Sequence, residues 1–105
     1  MLGELEQVVL LAVMQVGDDA YGVPIHAEIR RRTGRDLAVA SVYKTLERLH
    51  DKGMLEARLG ESTAERGGRR KQYYTVSKAG GREIRAAMTA IRRMASGLDV
   101  GLKPS

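Results

Sequence analysis

The spacing of apolar residues changes period partway along this chain, and that change limits the folds open to it more than any other feature. From Glu4 to Val16, apolar residues fall at Leu5, Val8, Val9, Ala12, Val13 and Val16, the recurrence of one buried helical face. Tyr21, Ile25 and Ile29 continue the helical spacing up to Thr33, with Pro24 early and Arg30, Arg31 and Arg32 late, before Gly34. Basic residues in a last turn suit the helix dipole, and glycine suits the cap behind it. Leu37, Ala38 and Val39 suffice only for a short strand. Ser41 offers a hydroxyl to cap a third helix, whose apolar stripe is Val42, Tyr43, Leu46 and Leu49 and which runs to Lys52 before Gly53.

The period then falls to two. Leu55, Ala57 and Leu59 alternate with Glu56 and Arg58, and Tyr74 and Val76 alternate with Tyr73 and Thr75, as in half-buried strands. A polar loop from Gly60 to Lys71 joins them into a hairpin. Ser77 is placed to cap a last helix reaching about Leu98, although Gly80 and Gly81 weaken its first turns. The pattern predicts a mainly α fold with a small β-hairpin. It divides into a winged helix-turn-helix unit over residues 1–76, a long C-terminal helix over 77–98 and a flexible tail over 99–105.

Composition narrows the classes further. A chain of 105 residues, 43% of them hydrophobic, has room for one modest core, and the absence of cysteine excludes disulfides and thiolate metal sites. The opening, with Glu4 and Glu6 close behind Met1, lacks the pattern of a secretory signal, and no apolar run approaches the roughly 20 residues that cross a bilayer. A cytoplasmic protein with no membrane partner is therefore expected. The formal charge of +5 is compatible with a polyanionic partner.

Two segments carry that charge in a usable form. On the third helix Ser41, Lys44, Thr45 and Arg48 follow one another at helical spacing, opposite the apolar stripe, so hydroxyls and cations would face bases and phosphates. In the hairpin loop Arg66, Arg69, Arg70 and Lys71 surround Gly67 and Gly68, a composition suited to phosphates or a minor groove. Glu61 and Glu65 leave only the returning limb of that loop to face DNA.

On the last helix Ile84, Met88, Ile91, Ala95 and Leu98 are spaced as a heptad seam, which Ala87 and Met94 widen. The stripe is broader than a small core needs and predicts a homodimer interface. Glu4 and Glu6 of the partner are expected to offset Arg85 and Arg92 beside the seam.

The chain also resembles a known family. Leu2, Gly3, Glu6, Val9 and Leu10, then Tyr21-Gly22, then Ser41-Val42-Tyr43 with Leu46, Leu49 and Gly53, then Arg70-Lys71 with Tyr73-Tyr74, Val76-Ser77 and Gly80, are similar to the PadR family of transcriptional regulators. The resemblance implies a dimeric winged-helix repressor with its third helix and wing on an operator, of the short subclass with a single C-terminal dimerisation helix. It also implies a small-molecule effector between subunits in some members, bound with the help of tryptophan. This chain has no Trp and no Phe, and its last helix has no aromatic residue.

Enzymatic chemistry finds no foothold in the sequence. His26 and His50 lie on different helices without a second ligand at metal spacing, Gly67-Gly68 sits inside a hairpin, and no serine occupies a nucleophile elbow. No metal or cofactor is expected. The reading is a sequence-specific DNA-binding regulator; the alternative is a winged-helix module for protein contacts, its basic face solvated or paired to an acidic partner.

Overall fold

The computed structural model describes residues 2–60 and 71–98. Helix α1 spans Glu4–Val16 and leads through a 3-10 turn at Gly17–Asp19 into α2 at Gly22–Thr33; α3 spans Val39–Asp51. Strands β1, Leu55–Leu59, and β2, Gln72–Val76, pair antiparallel, and α4 spans Lys78–Ala95.

The core forms where α1 meets α2, α3, α4 and β2. Val9, Leu10 and Val13 of α1 pack there with Ile25 and Ile29 of α2, Val42, Leu46 and Leu49 of α3, Leu55 and Ile84. Burying each such aliphatic side chain contributes about 1.5 to 3 kcal/mol, and these residues hold the helices at fixed angles. A buried charge joins them: the Glu6 carboxylate accepts from Lys52 Nζ at 2.8 Å and from the Gly3 backbone N–H at 2.9 Å. The bond from Lys52 and then that from Gly3 hold its pKa below the usual carboxylate value. This pair ties the start of α1 to the end of α3.

The connection from α2 to α3 contains no strand, contrary to the reading of Leu37 to Val39. A strand needs a ladder partner. The Leu37 carbonyl instead accepts from His26 Nε2 at 2.7 Å, and Val39 already lies in the first turn of α3. The N-cap is Ala38, without a side-chain bond, so Ser41 is inside the helix and does not cap it. Gly53, with φ of 78°, takes the left-handed conformation that ends this segment, as the sequence suggested.

Leu55 faces Val76 and Ala57 faces Tyr74 across the hairpin. Leu55 is buried, but Leu59 is exposed, so the alternation read in β1 marks a strand that leaves the core as it approaches its loop. At Ser77 the hydroxyl accepts from the Gly80 N–H at 3.0 Å and donates to the Gly53 carbonyl at 2.6 Å, which caps α4 and fixes it to the turn before β1. Gly80 is no simple weakness: a Cβ there would collide with the Met54 carbonyl, so glycine lets α4 approach that backbone closely. The helix stops at Ala95 rather than Leu98, with Ser96 as its cap.

Candidate nucleic-acid interface

Helix α3 divides cleanly into two sides. Val42, Thr45, Leu46 and Leu49 are buried, while Tyr43, Lys44, Glu47 and Arg48 are exposed and Ser41 is half-buried at the edge. The helical period produces this division, because positions three and four apart return to the same side. The structure moves Thr45 from the outward set expected of it to the core: it is only 1% exposed, and its hydroxyl donates to the Ser41 carbonyl at 2.8 Å. That internal bond satisfies the hydroxyl and removes the cost of burying it.

Tyr43 moves the other way. It was assigned to the apolar stripe, yet it is 45% exposed, with its ring laid over Gly22 at the start of α2. Any side chain at Gly22 would collide with that ring. Tyr43 and Glu47 therefore stand beside Lys44 on the outward face, and the sequence reading missed both. Plotting all thirteen residues of α3 on a wheel around Val42, Leu46 and Leu49 would have found them. The outward face thus offers cations, a hydroxyl and a carboxylate, the donor and acceptor types that read base edges.

The hairpin stands next to this face. Arg66, Arg69 and Arg70, read as the charge of its loop, lie outside the described residues. Lys71 is exposed, with Nζ 4.5 Å from the centre of the Tyr21 ring. Tyr21 immediately precedes Gly22, so Tyr43, Gly22, Tyr21 and Lys71 follow one another from the outward side of α3 to the loop end of the hairpin strands.

The three arginines ending α2 are a different case. Glu28 accepts from both Arg32 and Arg31, the latter at 2.7 Å, and the bond from Arg32 and then that from Arg31 hold its carboxyl below the usual range. One carboxylate thus offsets a part of the charge of the three arginines on their own helix. Among the described residues no three His, Cys, Asp or Glu side chains gather as a metal site would require, and no helix is long and apolar enough to cross a membrane.

On α4 the expected seam separates into two parts. Ile84 is 2% exposed and belongs to this chain's own core, packed by its own domain rather than left for a partner. Ala87 and Ala95 are half-buried, whereas Met88, Ile91, Met94 and Leu98 are exposed, Ile91 at 60% and Met94 at 81%. Glu6 is buried in its pair with Lys52, and Glu4, which stays exposed, pairs with Arg35 at 2.7 Å within the chain.

This arrangement has counterparts of known structure. A PadR family transcription regulator from Clostridium difficile superposes with a TM-score of 0.74 at 21% identity, covering 88% of this chain and 91% of that one. Another from Eggerthella lenta gives 0.70 at 21% identity, covering 97% and 88%. An uncharacterised protein of Lysinibacillus sphaericus is 32% identical over 80 residues, 74% of this chain and 69% of that protein. The model of the transcriptional regulator PadR-like family matches residues 10–86, which include α2, α3, the hairpin and the buried start of α4. With the winged helix-turn-helix fold in place, that match establishes that the chain belongs to the PadR-like family of transcriptional regulators.

Proposed function

We propose that this regulator, which is not an enzyme, is a repressor that binds a near-palindromic operator as a homodimer. In each protomer α3 enters the major groove and presents Ser41, Tyr43, Lys44, Glu47 and Arg48, while Lys71 and the loop residues Arg66, Arg69 and Arg70 meet phosphates alongside. The observation that carries this reading is the division of α3: Val42, Leu46 and Leu49 lock one side into the core and leave a polar, basic side outward. A cytoplasmic location fits a partner that is DNA.

The dimer reading rests on the outer part of α4. Met88, Ile91, Met94 and Leu98 expose large apolar side chains on one helix and its immediate extension, a surface that a second copy would remove from water. With Ile84 spent on its own core, the interface moves toward the C-terminal end of the helix, joined there by Ala87 and Ala95. A two-fold pairing presents two α3 helices to half-sites about 34 Å apart. The helix has no aromatic residue, so an effector held by stacking on α4 is not proposed.

Footprinting on the region upstream of the protein's own coding sequence tests the proposal. Protection of an inverted repeat with half-sites about one helical turn apart is expected. Protection of no discrete site, together with capture by an acidic protein that weakens as salt is raised, would favour a protein-contact module instead.

A further inference from the structure

The loop end of the hairpin strands holds a group of side chains that neither the fold nor the outward face of α3 accounts for. The rings of Tyr21 and Tyr73 meet edge to face, with centroids 5.4 Å apart and planes at 70°. The Arg58 guanidinium covers Tyr73 at 4.6 Å from its centroid, and Lys71 Nζ covers Tyr21 at 4.5 Å. Four residues from α2's entry, β1 and the start of β2 thus alternate as cation, ring, ring and cation.

The surroundings are built to keep them so. Arg58 also donates to the Asp18 carbonyl at 3.2 Å, in the turn before Tyr21. The Tyr74 N–H donates to the Ala20 carbonyl at 2.8 Å, and the Gly60 N–H donates to the Lys71 carbonyl at 2.7 Å. The Tyr73 ring lies against Gly60, where any side chain would push it away. Backbone and side chains together clamp the hairpin to the residues that precede α2.

Lys71 gains most from this clamp. A lysine ordinarily loses much rotamer freedom when it is fixed on a ligand, and a cation already held in place loses less. Its Nζ lies 3.4 Å from the Tyr21 hydroxyl, which leaves further N–H groups directed outward from an exposed side chain. The site joins the recognition side of α3 through Gly22 and Tyr43.

We infer that Tyr21 and Tyr73, braced by Arg58, are positioning residues that hold Lys71 ready to meet a DNA backbone phosphate. This rests on the DNA-binding reading above and adds to it two tyrosines that act through a third side chain without touching a base.

Binding of the intact protein to a random-sequence duplex, measured over a series of salt concentrations, tests the inference. Lys71→Ala should weaken binding and reduce the slope of log affinity against log salt by about 0.9 for one lost phosphate contact. Tyr21→Leu should weaken binding by about twofold to fivefold, the range of an exposed cation-π contact. Tyr73→Phe, which keeps the ring, should bind as wild type does. Adding Tyr21→Leu to Lys71→Ala should cost nothing more, which a merely structural role of the ring would not produce.

Full loss on adding Tyr21→Leu to Lys71→Ala would overturn the inference, as would wild-type binding by Tyr21→Leu. If thermal unfolding shows that Tyr21→Leu does not fold, Tyr73→Leu takes its place in the same arms. Lys71→Ala is an exposed change and decides on its own: unchanged affinity and slope would overturn the inference while leaving DNA binding intact. A wild-type protein that bound no duplex at low salt would instead reject the DNA-binding reading, and this inference with it.

Discussion

Two adjacent glycines at the start of α4 should respond to the same substitution with opposite signs. Replacing either by alanine in a helix gains about 1 kcal/mol of intrinsic propensity. At Gly81 nothing opposes that gain, since the new Cβ would find only an Arg85 guanidinium nitrogen at 3.6 Å, an ordinary contact. Gly81→Ala is therefore expected to stabilise the protein by about 0.5 to 1 kcal/mol. At Gly80 the Cβ would strike the Met54 carbonyl and meet Val76 Cγ1 at 3.0 Å. Relief requires α4 to back away, a strain of about 1 to 3 kcal/mol for an overpacked site. The same shift stretches the bond from the Ser77 N–H to the Met54 carbonyl, now 3.0 Å, worth about 1 kcal/mol. After the propensity gain, Gly80→Ala should destabilise by about 1 to 3 kcal/mol. The two variants should then differ in Tm by about 10 to 20 °C, as about 2 to 3 kcal/mol imply in a domain of this size. Circular dichroism melts at one protein concentration, which fixes any contribution from assembly, measure this directly. Equal Tm values for the two variants would refute the close approach of α4 to the Met54 backbone.

The division of α4 separates stability from assembly: Ile84→Ala should cost about 2 to 5 kcal/mol in unfolding experiments, whereas Ile91→Glu should leave each protomer folded and sediment as a monomer with reduced operator affinity. A dimeric Ile91→Glu protein would exclude the outer part of α4 from the interface. Thr45→Ala should lower stability by about 1 kcal/mol without altering operator preference, while Lys44→Ala should weaken operator binding at unchanged Tm; a reversed outcome would put Thr45 back on the outward face. Because the folded pKa of Glu6 lies below the ordinary carboxylate value of 4.5, its stabilising contribution is present above that value and fades as pH falls through the folded pKa. Glu6→Gln should therefore lower stability near neutrality and flatten the acid limb of a stability-pH curve, and an acid limb as steep as that of wild type would contradict this role.

Much of this architecture was legible before the structure. The bounds of α1 and β2 follow from periods of 3.6 and 2, and Ser77 and Gly53 from the local chemistry of capping, because both depend on residues near in sequence. What escaped the reading depends on contacts far apart in the chain. Glu4 and Glu6 looked like counter-charges for another subunit, but their partners Arg35 and Lys52 lie 31 and 46 residues away on the same chain. The spacing of Ile84 with Met88 and Ile91 reveals one helix face without saying which body covers each part of it, so a core residue was read into a dimer seam. Thr45 sits at the margin of the α3 stripe, where a short hydroxyl satisfied by its own helix is as acceptable inside as outside. Tyr43 reads as core by its ring, although a wheel centred on Val42, Leu46 and Leu49 sets it aside; the proximity of Gly22 shows where that ring lies. The Tyr21 and Tyr73 clasp joins residues on opposite sides of three intervening elements, with no periodic trace in the sequence.

The central claim is that the outward side of α3 reads a particular DNA sequence. Anisotropy of a labelled duplex carrying the inverted repeat from the upstream region, titrated in parallel with a scrambled duplex of the same length at a single salt concentration, tests it most directly. Wild type is expected to prefer the inverted repeat by about a thousandfold or more, and replacing Lys44 and Arg48 together by alanine should abolish most of that preference at unchanged Tm. Equal affinity of wild type for the two duplexes, or a preference that survives in the double variant, would contradict the claim.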